Sequence, residues 1–556
     1  MDITKQINAA LNYRNNGDLE NAEKIYLDIL RKYPQNTVIL PFLGAVYYEM
    51  HKFELAVKYL RQAFENKPNN AVIKMLAISY YYLGNVIEGE YFLKLCTKFD
   101  KTPEIYNKLI NSLISNNYGY GEAYGYSREL YKKYPFDVEN IVNLSEICFN
   151  IGKFNDSTAL CRKALSICPN YPKAWIQKGI LEEVLNYNDD EARKCFRKAL
   201  KLGDKENAYH NLCINYSHSD YKKSNYYGKA LIKLKGKDVH NGVIFTIGSN
   251  YLAMRKMKQG YKYYIHRWDG ASENEYPYVK IIKDAWQGEI HKNGTLFILC
   301  DLGFGDKIMF IRYLPFAAKK FKRVIVMCDE VVLELFKRSF RHIKNVEFIP
   351  FSDNYPVHDR HIPATHLPDA LNMDFYHIPA SCGYLIPDMT KVEEYKKKYF
   401  NVNKLKAGLC WEAGSCELRR LHNRSIMFSD LKKLLSLQDK IRFYSFQLRA
   451  VSVSRKTVRS SGIVDLSECI KDFDDTAALL KNIDVLITVD TSVAHLAGAL
   501  GIKTFLFLPQ FSEWRWFDNT DKTEWYDSVK IFKQSQKKSC TVEINEIYDN
   551  LLKMSD

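Results

Sequence analysis

Residues 485–508 read VLITVDTSVAHLAGALGIKTFLFL, and their reading decides the fold of the second half of the chain. Val485–Val489 is a short apolar run with β-branched members, as a strand buried on both faces requires. Asp490, Thr491 and Ser492 supply turn and N-cap chemistry. Val493–Leu500 is rich in Ala and Leu and predicts a helix, and Gly501 stands where a left-handed C-terminal cap is wanted. Thr504–Leu508 is apolar again and predicts a second strand. Backbone amides and the positive end of the helix dipole converge at Thr491–Val493, which offers a site for a phosphate or pyrophosphate. His495, on the first helical turn, adds a further donor. The competing reading is an ordinary βαβ unit with a capped helix.

The same alternation runs through the preceding 200 or so residues. Thr295–Cys300 predicts a strand, and Asp301-Leu302-Gly303-Phe304-Gly305-Asp306 leads from it into an amphipathic segment, Lys307–Lys320. A Gly-x-Gly turn at Gly303 and Gly305 lets backbone approach a ligand, but the third glycine of a dinucleotide site is missing, so NAD is disfavoured. Asp306, at the C-terminal edge of a first parallel strand, stands where ligands of open α/β sheets bind; the alternative is that it caps its helix. Val324–Met327, Val331–Phe340 and Val346–Ile349 continue the pattern. His358, His361 and His366 fall in a stretch read as a loop lining a cleft; their spacing fits no zinc template.

A second α/β half begins near Ala407. Ala407–Trp411 predicts a strand, followed by a basic loop, Ser415–Arg424, containing Arg419, Arg420, His422 and Arg424. Arginines there suit a diphosphate through bidentate contacts, unless the loop is merely solvated surface. Ile441–Gln447 predicts the next strand, with Gln447 at its end placed to hydrogen-bond a base edge. Asp472-Phe473-Asp474 reads as a capped helix start and not a metal site. Trp514 and Trp516 are read as packing residues.

At 556 residues the chain exceeds one domain. A net charge of +15 points to a polyanionic or phosphorylated partner, yet without any Lys/Arg-only block, which disfavours nucleic acid. Thirteen cysteines with no CxxC pair indicate reduced thiols. The first residues lack a signal-type apolar core, and no apolar run reaches the ~18 residues a membrane span needs. A cytoplasmic location is therefore expected.

The N-terminal half is a repeat. Pro34 and Pro68 are 34 residues apart, as are Pro135 and Pro169, the period of tetratricopeptide repeats. Gly44, Tyr47, Ala56, Ala63 and Pro68 mark the second repeat, and Ala22, Tyr26 and Pro34 the first. Ala123, Ala164 and the set Trp175, Gly179, Ala192, Phe196 and Ala199 mark the fourth to sixth. The third, near Tyr80–Leu93, is weak, and two degenerate repeats follow, the last around Gly248, Tyr251, Gly260 and Tyr264. Small residues let paired helices approach while aromatics fill the gaps, and stacked pairs form a solenoid with a concave groove. The groove is expected to hold a polypeptide; a spacer or dimerisation arm is the other reading. Ala271–Tyr278 reads as a boundary loop.

The phrases DLGFGDKIMFIRYLP (301–315), LCWEAG (409–414), DFDDTAALLKNIDVLITVDTSVAHLAGALG (472–501) and EWRWF (513–517) resemble the catalytic half of bacterial tetratricopeptide-repeat glycosyltransferases. These are related to ADP-heptose-type heptosyltransferases and, in architecture, more distantly to protein O-linked N-acetylglucosamine transferase. The resemblance implies an α plus α/β protein: a tetratricopeptide α-solenoid over residues 1–270, then a GT-B fold of two facing Rossmann-like domains. The acceptor-side domain would span 285–400 and the nucleotide-sugar domain 401–556. It implies metal-independent transfer with no cofactor, the nucleotide sugar being a co-substrate. On this resemblance Asp490, Thr491, Ser492, Val493 and His495 match the donor-phosphate turn, and Asp306 matches a general base. Arg424 and Ser425 match a basic position after the Trp-x-x-Gly strand, here Trp411 to Gly414. Gly303, Gly305, Trp411 and Gln447 complete the expected donor-binding set. Asp301 departs from the residues relatives carry before Leu-Gly.

The leading expectation is an inverting glycosyltransferase acting on a protein or surface glycan. The repeats would present the acceptor, such as flagellin or another surface protein before export, and they also offer a route to oligomers. The alternatives are a scaffold whose transferase half has lost activity, and a carbohydrate-polymer enzyme whose repeats only mediate oligomerisation.

Overall fold

The computed structural model describes residues 3–115, 119–268, 285–376, 378–413, 424–448, 452–510, 512–517, 521–535 and 539–555. The chain divides into two compact units, Met1–Ala208 and Tyr209–Asp556.

The first unit is a stack of antiparallel helical pairs. Ile3–Asn15 pairs with Leu19–Lys32, Leu40–Glu49 with Phe53–Asn66, and Asn70–Tyr82 with Val86–Cys96. Pro103–Ser115 pairs with Tyr120–Lys133, Val138–Asn150 with Phe154–Ile167, and Pro172–Val184 with Asp189–Lys201. Asp18, Asn69, Asn85, Asp137 and Asn188 each cap a helix by accepting the amide three residues on, which satisfies a donor with no intrahelical partner. The small residues act as expected: a Cβ on Gly179 would lie 2.4 Å from the Phe196 ring, so only glycine lets that pair close. The weakly marked third repeat is a full pair, its buried seam filled by Tyr80 stacked on Phe92 at 5.7 Å.

The helix Lys205–Tyr216 runs across the division, and the second unit goes on with Tyr221–Lys235 and the pair Asn241–Ala253 and Met257–Tyr264. That last pair shares one apolar core with the sheets that follow: Leu252, Tyr261 and Tyr264 are buried in the same cluster as Leu296, Ile298, Val326 and Leu506. Two all-parallel sheets make up the rest. The first contains β1 (His291–Leu299), β2 (Phe321–Cys328), β3 (Val346–Pro350) and β4 (Arg360–Pro363), in the order β3-β2-β1-β4. The second contains β5 (Leu405–Cys410), β6 (Ile441–Ser445), β7 (Val464–Asp465), β8 (Val485–Val489), β9 (Thr504–Leu508) and β10 (Val529–Lys533), in the order β10-β9-β8-β5-β6-β7. β8 and β9 are buried along their whole length, which is why each reads as an unbroken apolar run.

The histidine stretch differs from its reading as a loop. Arg360–Pro363 is the edge strand β4, with Ile362 opposite Ile298 of β1. Pro363 is tolerated there because an edge strand need not use every donor. His366 is buried against the rings of Tyr261 and Tyr264, and His358 Nε2 lies 3.2 Å from His361 Nδ1. The boundary loop 271–278 lies outside the described residues. No described helix is long and apolar enough to cross a membrane.

Candidate functional site

In a parallel sheet a crevice opens at the carboxyl ends of the strands where the strand order reverses. The first sheet reverses between β1 and β4, the second between β5 and β8. The candidate residues sit at these two places.

At the first, Asp301 follows β1 and is buried; its carboxylate accepts Thr365 N at 3.2 Å and Thr365 Oγ1 at 2.9 Å, tying the β1 turn to the end of β4. Thr365 O in turn accepts the hydroxyl of Tyr261 at 2.6 Å. The turn then passes through Leu302 at φ 61°, a left-handed conformation that costs a side-chain-bearing residue roughly 1–2 kcal/mol. Neither expected glycine takes that conformation. Gly303 is the exposed N-cap of the helix Phe304–Phe310. Gly305 faces protein: a Cβ there would lie 2.7 Å from His495 Cδ2. Its missing side chain lets the Phe304–Phe310 helix close on the Ser492–Leu500 helix, so the first turns of the two helices pack together.

Asp306 is buried, and Arg515 Nε donates to its Oδ1 at 2.5 Å. Burial raises the Asp306 carboxyl above its ordinary range, opposed by the charge and hydrogen bond of Arg515. Burial works against the Arg515 charge, but Asp306, Tyr264 and Glu513 together more than offset it, and the guanidinium is held more firmly protonated than usual. Arg515 Nη1 also donates to Glu513 Oε2 at 3.1 Å, and its guanidinium lies over the Trp514 ring. Removing one member of such a buried pair costs about 3–5 kcal/mol, because the other charge is left uncompensated.

At the second crevice, Thr491 is the extended N-cap of Ser492–Leu500 and makes no side-chain cap bond; its Oγ1 lies 3.2 Å from Thr488 Oγ1. The leading amides at Ser492 and Val493, both half-buried, precede any intrahelical acceptor. Gly501 is the left-handed cap, at φ 73°. Asp490 is buried, and Arg424 Nη2 donates to its backbone oxygen at 2.7 Å and pairs with Oδ2 at 3.1 Å. Arg424 Nε is buried with no hydrogen-bond partner among the described residues. Arg419, Arg420 and His422, the rest of the basic loop, lie outside the described residues.

His495 is spent on packing. Its ring is buried, stacks on Trp516 with centroids 4.8 Å apart, and shares a 3.0 Å hydrogen bond with the Tyr526 hydroxyl. Burial, reinforced by the charges of Arg515, Arg312 and Arg424, holds its pKa well below 6.5, so the ring is neutral. Gln447 is likewise engaged: its Oε1 accepts the amides of Trp411 and Glu412 at 3.0 and 2.9 Å, and its Nε2 donates to Glu412 O at 3.0 Å. It pins the end of β5 rather than presenting a free amide.

Beside this crevice, at the carboxyl ends of β5, β6 and β7, lies a cavity of about 260 Å³. Trp411, Gln447, Val453, Arg455, Val458 and Asp465 are among its lining residues. Trp411 Nε1 is buried without a partner among the described residues. Neither Asp306 nor the Asp490–His495 turn lines this cavity.

The sequence reading missed Arg515, which is 209 residues from Asp306, and most of the cavity wall. The one available signal for Arg515 was an arginine between two tryptophans in EWRWF, both of which are buried as expected.

The Tetratricopeptide repeat family matches residues 42–70. Protein FlbA of Caulobacter vibrioides is 23% identical over 438 residues, covering 72% of this chain and 70% of that one. A tetratricopeptide repeat protein from Parabacteroides merdae is similar to 44% of this chain and 97% of its own, with 14% identity and a TM-score of 0.38. YrrB, a repeat protein described as having an unusual peptide-binding site, is similar to 33% of this chain and 96% of its own, with 13% identity and a TM-score of 0.28.

Proposed function

We propose that the second unit is a glycosyltransferase of GT-B type, moving a sugar from a nucleotide-sugar donor to a hydroxyl of a polypeptide or surface-glycan acceptor. The observation that carries this reading is that the carboxyl-edge turns of two parallel sheets meet, with the buried carboxylate of Asp306 on the helix at their junction. Asp306 stands on the helix that packs against the uncapped start of Ser492–Leu500.

The chemistry has two needs. The acceptor hydroxyl must lose its proton as its oxygen bonds to the anomeric carbon, and a carboxylate can take it. The anomeric carbon–oxygen bond breaks with its electron pair going to the phosphate, and that charge needs stabilising. The amides at Ser492 and Val493 and the Arg424 guanidinium are suited to this. His495, neutral and buried, orients the helix instead. The cavity at β5–β7, with Trp411 and Arg455, is of a character that suits a nucleoside. Direct attack would invert the anomeric centre. In the same reading the helical repeats present the acceptor, flagellin or another surface protein among them.

The test is thermal-shift screening with UDP-, GDP-, ADP- and CMP-sugars, followed by mass spectrometry for transfer. Asp306→Ala is expected to abolish transfer while donor stabilisation persists; retained turnover removes Asp306 as base. A second reading, a nucleotide-binding or purely scaffolding protein, draws on Asp306 being engaged by Arg515 and Gln447 by backbone. Donor-induced stabilisation without transfer selects the first of these, and no stabilisation by any nucleotide sugar selects the second.

A further inference from the structure

We propose that Arg515 is the positioning residue of this site: it holds Asp306 by one carboxylate oxygen so that the other meets the acceptor hydroxyl. This rests on the glycosyltransferase reading and names how its base is held.

The two oxygens of Asp306 have different surroundings. Oδ1 accepts Arg515 Nε, on a side chain that is itself largely buried. Oδ2 lies toward Gly303, 3.8 Å from where a Cβ on that residue would be. Gly303 and Phe304 are exposed, so Oδ2 is on the side of the turn that an acceptor reaches. Arg515 is fixed from several directions. Glu513 Oε2 takes its Nη1, Trp525 Nε1 donates to its carbonyl, and Trp514 lies under its guanidinium. Tyr264 packs edge-on against Trp514 from the last helical pair. A carboxylate with both oxygens free would rotate; one with Oδ1 tethered presents Oδ2 in a single direction.

The second consequence is electrostatic. Burial, reinforced by the charges of Asp301 and Glu513, favours the protonated carboxyl, which cannot accept a proton, and the guanidinium opposes it. In the transfer step the acceptor oxygen bonds to the anomeric carbon while its proton passes to Oδ2. The bond to the diphosphate breaks with its electrons, and Arg515 stays charged throughout. The ion pair then becomes a charge-to-neutral hydrogen bond until the proton leaves to solvent.

The experiment compares wild type, Arg515→Lys and Arg515→Met in the full chain. The readout is release of nucleotide from the donor that stabilises the protein best, with water as acceptor, across pH 5 to 9, alongside donor stabilisation in thermal shift. Arg515→Met is expected to move the acid limb of kcat upward by about one pH unit or more and to lower kcat at pH 7 by about tenfold or more. Donor stabilisation should be unchanged, and Arg515→Lys should restore part of the limb. An unmoved acid limb in an active Arg515→Met overturns the assignment and leaves the enzyme reading standing. Should Arg515→Met not fold, an Arg515→Lys profile identical to wild type overturns it equally. A wild type that binds donors but neither releases nucleotide to water nor transfers sugar in the mass-spectrometric assay overturns both, and that result is distinguishable from the others.

Discussion

Gly305→Ala separates two uses of one glycine. In the structure a methyl at this position meets His495 Cδ2 at 2.7 Å and Nε2 at 3.3 Å. Ordinary carbon–carbon contact lies near 3.5–4.0 Å, so the ring or the helix must give by about 0.8 Å or more. The ring has little freedom to do so, being stacked on Trp516 and hydrogen-bonded to Tyr526. Overpacking of this kind costs about 1–3 kcal/mol, and removing a helical glycine returns up to about 1 kcal/mol. The net loss is about 1–2 kcal/mol. An unfolding entropy of about 2 cal/mol/K per residue over roughly 350 residues is about 0.7 kcal/mol/K, so Tm falls by about 1.5–3 °C. The assay is equilibrium unfolding followed by tryptophan fluorescence, on Gly305→Ala, His495→Ala and the double variant. Because His495→Ala makes room for the methyl, the double variant should lose less than the two singles combined, by more than the ~0.5 kcal/mol scatter of additivity. Wild-type stability in Gly305→Ala, with nucleotide binding alone lost, would refute the reasoning and return the glycine to its sequence-based role in admitting a ligand.

Gln447→Ala removes the acceptor of two amides at the end of β5; it should cost about 1–3 kcal/mol, read as a lower midpoint in urea, while leaving the repeat unit's own transition unmoved. The neutral, buried His495 sets a pH slope. Its folded pKa lies below its unfolded value, so below about pH 6.5 the unfolded chain binds a proton that the folded protein does not. Stability of the second unit should therefore fall as pH drops from about 6.5, by at most about 1.4 kcal/mol per unit from this group. His495→Gln should flatten that slope by about one proton, and an unchanged slope would show that the ring titrates normally.

Elements written in local pattern were legible in advance. β8, the Ser492–Leu500 helix and its Gly501 cap follow from an apolar run, a small-residue segment and a glycine in the right order, because each is set by contacts within a few residues. The helical pairs were legible for the same reason, Gly179 against Phe196 being one case. β4 was not: four residues with two prolines nearby carry little periodicity, and only pairing with β1 makes them a strand. The site was half legible. Asp490 and Thr491 stand at a strand end and Asp306 on the helix that follows β1, places where ligands of parallel sheets are expected. The partners they take are set by tertiary approach, and no local spacing announces that Arg515 reaches Asp306 or that Gly305 serves His495. Gln447 shows the converse: an amide at a strand end looks available until the neighbouring strand claims it.

The helices Asn241–Ala253 and Met257–Tyr264 have a bearing on how such a protein can be recombined. Through Tyr261 and Thr365 they reach Asp301, and through Tyr264 they reach Trp514, the neighbour of Arg515. By sequence pattern they read as degenerate repeats; by attachment they belong to the core of the second unit. A gene fusion that exchanged one helical array for another keeps these contacts to Asp301 and Trp514 when its junction lies upstream of the two helices, whereas a junction placed after them severs both.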